Sequence, residues 1–170
     1  MDISNGEGVG VALFVQGCHF HCYNCFNSET WDFNGGKEWT QDTEDKLIEL
    51  ANKPYIKRLS ILGGEPLANE NLDGVLHLVD KIRLSCPNKN IWLYSGYNYQ
   101  KVMRQLPNLA TKENYNMYKR QQIIKQCTVM VDGKYIDSQR NPAKKWAGSS
   151  NQRIINISES LKQGKVITID

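Results

Sequence analysis

Short apolar runs rich in β-branched residues alternate with longer amphipathic runs along most of the chain. Four short runs predict strands, and each ends at a glycine or in a turn that contains one: residues 9–15, 58–64, 90–97 and 127–133. Two later runs, 152–157 and 165–170, predict further strands, arranged as a hairpin around Gly164.

The longer runs between the strands repeat their apolar residues at three- and four-residue steps, as a helix requires. The clearest stripe, in residues 69–85, consists of Leu72, Val75, Leu76, Val79 and Ile82. Residues 44–53 predict a second helix with Thr40 or Asp42 as its N-cap, 99–106 a short one, and 107–126 a loop that leads into a helix. This alternation predicts parallel βα units with helices on one or both faces of a sheet.

Composition narrows the class of protein. A chain of 170 residues fits one domain, residues 1–170. Its 21 Lys and Arg against 18 Asp and Glu leave a net charge of +3, too small to indicate a nucleic-acid partner. The sequence contains no secretory signal and no apolar run near the roughly 20 residues of a membrane span. We therefore expect a cytoplasmic protein, in which thiols stay reduced.

Three of the five cysteines lie in the stretch GCHFHCYNCFN, with the spacing C-x3-C-x2-C: Cys18, Cys22 and Cys25. Thiolates bind zinc, copper(I) or the iron of iron–sulfur clusters. His19 and His21 adjoin cysteines and lack the spacing of a zinc knuckle, and a ferredoxin cluster needs a fourth cysteine. Three thiolates on a four-iron cube leave one iron open for a ligand. The spacing favours such a [4Fe-4S] cluster, with structural zinc and plain buried thiols as alternatives.

Four motifs follow predicted strand ends: the cysteine loop, GGEP (63–66), YSGY (94–97) and VDG (131–133). In parallel α/β folds the ligand site lies at that edge of the sheet, so we expect the four motifs to share one cleft. Each motif also has a structural alternative. The GGEP and YSGY motifs can be tight turns, and Asp132 can cap the turn that follows it.

The C-x3-C-x2-C motif after a first strand resembles the radical S-adenosylmethionine (SAM) superfamily. Within that superfamily, five segments resemble the activating proteins of anaerobic (class III) ribonucleotide reductase: GCHFHCYNCFNSETWDFNGGKEWT, ILGGEPLANENL, IWLYSGY, VMVDG and GSSNQRIINI. The resemblance covers residues 8 to 157. It implies an α/β fold, an incomplete (βα) barrel of the radical SAM type with five or six mostly parallel strands.

The resemblance also implies the chemistry. The three cysteines would ligate a [4Fe-4S] cluster whose open iron binds SAM, and reduction would give a 5′-deoxyadenosyl radical that installs a glycyl radical on anaerobic ribonucleoside-triphosphate reductase. No side chain is assigned to acid–base catalysis. The residues implied in cofactor binding are Asn24, Cys25, Phe26, Gly63, Gly64, Glu65, Ser95 and Asp132. The superfamily often has an aromatic residue at the position of Asn24.

The implied partners are the reductase and a low-potential electron donor such as flavodoxin or ferredoxin, in a homodimer or a heterotetramer with the reductase. The alternatives are an activase of another glycyl radical enzyme, a small-molecule radical SAM enzyme such as a deazapurine synthase, and a zinc-stabilised interaction module.

Two segments near the motifs, and one basic segment, complete the predictions. We expect WDFNGG (31–36) to fold back over the cysteine loop, and SSNQR (149–153) to line the cleft or contact the partner. The basic side chains of 112–125 are predicted to form a solvated face; they are Lys112, Lys119, Arg120 and Lys125.

Overall fold

An open sheet of five strands, ordered as they occur along the chain, forms the centre of the structure, a computed structural model that describes residues 1–169. The first four strands run parallel: β1 (Gly10–Val15), β2 (Arg58–Gly63), β3 (Asn90–Ser95) and β4 (Val129–Asp132). The fifth, β5 (Arg153–Asn156), is antiparallel to β4. The expectation of an α/β fold with a mostly parallel sheet is confirmed, and the sheet is not closed.

Five helices accompany the sheet within residues 1–169: α1 (Gln41–Asn52), α2 (Leu72–Ser85), α3 (Tyr99–Val102), α4 (Lys112–Gln126) and α5 (Ile157–Gln163). Alternate strand residues such as Leu59, Ile61 and Leu93 pack with the apolar stripes of α1, α2 and α4 in one core. Thr40 caps α1, since its side chain accepts from the Thr43 amide. No helix in this described part is long and apolar enough to cross a bilayer.

The opposite face of the sheet carries an N-terminal segment instead of helices. Arg58, whose side chain is fully buried, donates to the Asp2 carboxylate at 2.6 Å and to the Ser60 hydroxyl at 2.7 Å. Ser60 in turn donates to the carbonyl oxygen of Asn5 at 2.5 Å. Residues 2–8 therefore lie against one end of this face, and a buried ion pair holds them there.

The outer edge of β1 has only one partner among the residues that the structure describes. Asp2 pairs with Gly10 through two backbone hydrogen bonds of 2.8 Å each. Since the hydrogen-bonding direction alternates along a strand, the N–H and C=O groups of Ala12 and Phe14 point to the same outer edge. Beyond Gly10, no other backbone segment within residues 1–169 pairs with this edge of the sheet.

The strand predicted over 152–157 is confirmed as β5, but the hairpin turn predicted around Gly164 is wrong. A helix, α5, follows β5 directly, because Asn156 caps it by accepting from the Glu159 amide at 3.0 Å. Gly164 ends that helix in the left-handed conformation, with φ of 64°. The chain then returns to β5, where Thr168 forms a single antiparallel bridge with Ile155.

The solvated basic face predicted for 112–125 is also wrong at two positions. Arg120 is buried, donates to the Leu67 carbonyl oxygen at 2.8 Å and lies 4.6 Å over the Tyr97 ring. Lys119 is buried as well and pairs with Asp73 at 2.8 Å. Arg120 thus ties α4 to the segment that follows β2, and Lys119 ties α4 to α2.

Candidate functional site

A cavity of about 490 Å³ lies where β2, β3 and β4 end. Its volume falls within the roughly 300–1,000 Å³ of small-molecule sites. Most of the predicted site residues line it, namely Cys18, Cys22, Cys25, Phe26, Gly63, Gly64, Glu65 and Ser95. The structure therefore brings residues of all four motifs that follow predicted strand ends to one cavity, the VDG motif through Gly133.

The cysteine loop closes on itself at its base. The amides of Gly17 and Cys18 donate to the carbonyl oxygens of Thr30 and Trp31, at 2.8 and 3.0 Å. Gly17 has φ of 93°, and a Cβ there would lie 2.0 Å from the Phe33 ring, so only glycine fits this position. The loop is held as a ring beside the end of β1.

Two residues inside the loop adopt the left-handed conformation: His21, with φ of 44°, and Asn24, with φ of 53°. Asparagine tolerates this conformation better than most residues. This backbone requirement accounts for asparagine before the third cysteine. Asn24 is exposed and is not part of the cavity wall, although it was predicted to bind the cofactor.

The three thiols face backbone N–H groups. Asn27 donates to the Cys25 sulfur at 3.4 Å, the amides of Phe20 and His21 point to that of Cys18, and the Tyr135 amide points to that of Cys22. Burial raises the pKa of the Cys18 and Cys22 thiols, and the neighbouring cysteines raise it further. Bound iron would reverse this effect, because a cation stabilises the thiolates.

This donor set fits an iron–sulfur cluster, whose sulfur ligands are commonly stabilised by N–H hydrogen bonds. Among residues 1–169, no three His, Cys, Asp or Glu side chains are arranged to hold a single metal ion. Cys18, Cys22 and Cys25 would hold the cluster, on one wall of a cavity that leaves space beside it.

The WDFNGG segment does fold back over the cysteine loop, as predicted. The Trp31 ring stacks on His21, with centroids 4.5 Å apart and an interplanar angle of 17°. The Phe33 ring lies 4.5 Å from His19. His19 also contacts Glu70 at 2.9 Å, so both histidines of the loop have partners other than a metal.

Gly64 lets the cysteine loop approach β2 closely. A Cβ at this position would lie 2.4 Å from the Gly17 carbonyl oxygen and 2.9 Å from that of Thr30. Gly64 lies on the cavity wall, and backbone of the cysteine loop occupies the space that a side chain would take there. The glycine thus sets the distance between the loop and the residue after it, Glu65, whose amide donates to the Gly17 oxygen at 2.7 Å.

Glu65 is a buried carboxylate with three donors, each at 2.8 Å. One oxygen accepts from the Leu67 amide and the Ser95 hydroxyl, and the other accepts from the Gly96 amide. Burial raises its pKa from 4.5 to about 7, against the opposing effect of these hydrogen bonds. A carboxylate offers about four acceptor positions, these donors use three of them, and the side chain lines the cavity.

Ser95 and Asp132 have structural partners. The Ser95 hydroxyl donates to Glu65 and accepts from the Tyr97 amide at 3.1 Å. Asp132 pairs with Arg153 at 2.5 Å, accepts from the Tyr99 amide at 2.8 Å, and is not on the cavity wall. Ser95 therefore lies at the predicted site, and Asp132 lies outside it.

Sequence reasoning missed the loop after β4, which supplies a wall of the cavity through Lys134, Tyr135 and Arg140. Lys134 lies over the Phe20 ring at 4.4 Å, and Arg140 lies over the Phe26 ring at 5.4 Å. The sequence signal for these residues was weak, because the loop has no periodic pattern. Its one clue is that Lys134 directly follows the VDG motif.

Comparison with known proteins supports an iron–sulfur domain. Residues 4–155 match the family described as a 4Fe-4S single cluster domain. Anaerobic ribonucleoside-triphosphate reductase-activating proteins of Vibrio cholerae and Escherichia coli K12 are each 38% identical, over 91% and 92% of this chain and 92% and 94% of their own lengths. That of Enterobacteria phage T4 is 34% identical over 90% of this chain and 87% of its own. No solved structure matches significantly. The chain therefore belongs to the family of anaerobic ribonucleoside-triphosphate reductase-activating proteins.

Proposed function

We propose that this protein is a radical SAM activase of anaerobic ribonucleoside-triphosphate reductase, a single radical SAM domain that acts in the cytoplasm. The observation that carries the proposal is the shared cavity wall: three thiols facing N–H donors, next to a buried carboxylate with one free acceptor position. When bound, the cluster would supply one electron and SAM a 5′-deoxyadenosyl radical, with methionine as the leaving group of the broken C–S bond; the radical would take a hydrogen atom from a glycine Cα of the reductase and leave as 5′-deoxyadenosine.

The residues of the cavity would divide the binding between them. Cys18, Cys22 and Cys25 hold the cluster at the rim, and the ring-like loop fixes their spacing. Glu65 accepts from the ammonium group of SAM, and this positive charge favours the ionised carboxylate. Because the pKa of Glu65 is about 7, SAM binding releases a proton from it in neutral or mildly acidic solution.

The open sheet suits a macromolecular substrate. β1 and β5 lie at opposite edges of the sheet and do not pair, so a side of the fold remains open to a segment attached to a large protein. Glycine suits such a segment, since it has no side chain to obstruct approach.

A low-potential flavodoxin or ferredoxin would supply the electron. We propose a homodimer or a heterotetramer with the reductase as the working assembly.

The test is anaerobic reconstitution with iron and sulfide, followed by SAM, a reductant and the reductase. We expect a glycyl-radical doublet in electron paramagnetic resonance. Cys22→Ala should lose both the cluster and the doublet, whereas the matched variant Cys86→Ala, at a buried thiol in the helical core, should keep both.

An intact cluster without a doublet would refute the proposal. A doublet on a different glycyl radical enzyme, or a modified small molecule formed without any protein partner, would identify the corresponding alternative. Zinc in place of iron and sulfide would indicate an interaction module.

A further inference from the structure

A turn after β4 brings a lysine beside the cysteine loop. Gly133 has φ of 103°, a conformation that favours glycine, and its amide donates to the Ser95 carbonyl oxygen at 3.0 Å. The chain therefore turns sharply out of the sheet, and the next two residues, Lys134 and Tyr135, lie on the cavity wall with the three cysteines.

Side chains of the SSNQR segment hold this turn in place. Asn151 donates to the Lys134 carbonyl oxygen at 2.8 Å, and Gln152 donates to that of Gly133 at 2.9 Å. The Gln152 side-chain oxygen accepts from the Gly148 amide at 2.8 Å, which ties both ends of the loop together. The Asn151 and Gln152 side chains thus fix the backbone at Gly133 and Lys134.

The Lys134 side chain is held as well. Its ammonium nitrogen lies 4.4 Å from the centre of the Phe20 ring, and Phe20 stands between Cys18 and Cys22 in the loop. The other charged groups on this cavity wall are Arg140, which lies over the Phe26 ring, and Glu65. Lys134 is therefore the cation held against the part of the loop that joins two of the thiols.

We propose that Lys134 is a positioned charge that raises the reduction potential of the cluster. This inference rests on the proposed function, because it requires the cluster to be bound by the three cysteines. Reduction adds one negative charge to the cluster, and a nearby cation stabilises the reduced form more than the oxidised form. A unit charge within about 10 Å, in the dielectric of a protein surface, changes the ratio of the two forms by about tenfold.

Potentiometric titration of the reconstituted protein, without SAM or reductase, tests the proposal. Lys134→Met keeps an unbranched side chain over Phe20 and removes the charge. At the wild-type midpoint, we expect its ratio of reduced to oxidised cluster to fall about tenfold, which for one electron is a shift of about 59 mV to lower potential. Lys134→Arg should restore the wild-type potential. The control Lys101→Met, at an exposed position in α3, should leave it unchanged.

The outcomes separate this inference from the proposed function. A wild-type protein that takes up no cluster would overturn both. If Lys134→Met takes up a normal cluster and its potential equals that of the wild type, the inference alone is overturned. Weaker SAM binding by this variant would not rescue it, since Lys134 would then act on the SAM carboxylate. Equal shifts in Lys134→Met and Lys134→Arg would also overturn it, because a packing change, and no charge, would then be the cause.

Discussion

Replacement of Glu65 by Gln tests the electrostatics of the site without any cofactor. The carboxyl group is buried and its pKa is about 7, above the ordinary value of 4.5. The folded state therefore binds this proton more tightly than the unfolded state does. The stability that the group contributes is present at low pH and is lost as the pH rises from about 4.5 to about 7.

The size of the effect follows from the two pKa values. Between about pH 5 and about pH 8, the free energy of unfolding of the wild type should fall by about 2–3 kcal/mol relative to that of Glu65→Gln, which cannot ionise. Glu65→Gln should also carry a constant cost of about 1–3 kcal/mol, because its amide group meets the Gly96 N–H, a donor that then has no acceptor.

Urea denaturation of the reduced, iron-free protein, followed by tryptophan fluorescence at several pH values, measures both quantities. The difference between the two proteins isolates Glu65 from the other titrating groups. A difference that stays flat with pH, or a wild type that gains on the variant as the pH rises, would refute the reasoning: the three hydrogen bonds, and not burial, would then dominate the pKa.

Three further substitutions test the packing and the buried ion pair described above, and iron content and urea midpoints measure their effects. Gly64→Ala should cost about 1–3 kcal/mol and reduce cluster retention, because its Cβ meets a backbone oxygen at 2.4 Å. Gly74→Ala in α2, with no atom within 4 Å of the new Cβ, should instead stabilise the protein by about 0.5–1 kcal/mol; equal effects would contradict the packing argument. Asp2→Asn should cost about 3 kcal/mol by leaving the buried Arg58 unpaired, and an unchanged midpoint would show that water replaces the carboxylate.

Local patterns in the sequence specified most of the fold. The β-branched runs and their terminal glycines predicted β1 to β4 within two residues at either end, and the stripe of α2 predicted that helix. The pattern failed at α5, a helix of seven residues. So short a helix has no room for an apolar period, and the cap at Asn156 and the glycine at its end decide it.

In the candidate site, too, local features of the sequence could be predicted and contacts between distant segments could not. The cysteine spacing and the GGEP turn are local, so their meeting at the ends of β1 and β2 could be predicted. The partners of Asp132, Lys119 and Arg120 come from distant segments, and no local pattern revealed them. The loop that carries Lys134 is fixed by side-chain contacts with the backbone, which no hydrophobic pattern records.

The free edge of β1 has a consequence for handling the protein. Main-chain donors and acceptors at Ala12 and Phe14 offer a template on which an extended peptide, or the same strand of another molecule, can add by strand pairing. The nearby Phe14 side chain is 45% exposed and gives such an addition an apolar contact. Self-association through this edge of β1 should therefore grow with protein concentration. A charged residue placed along the edge should suppress aggregation during purification and storage.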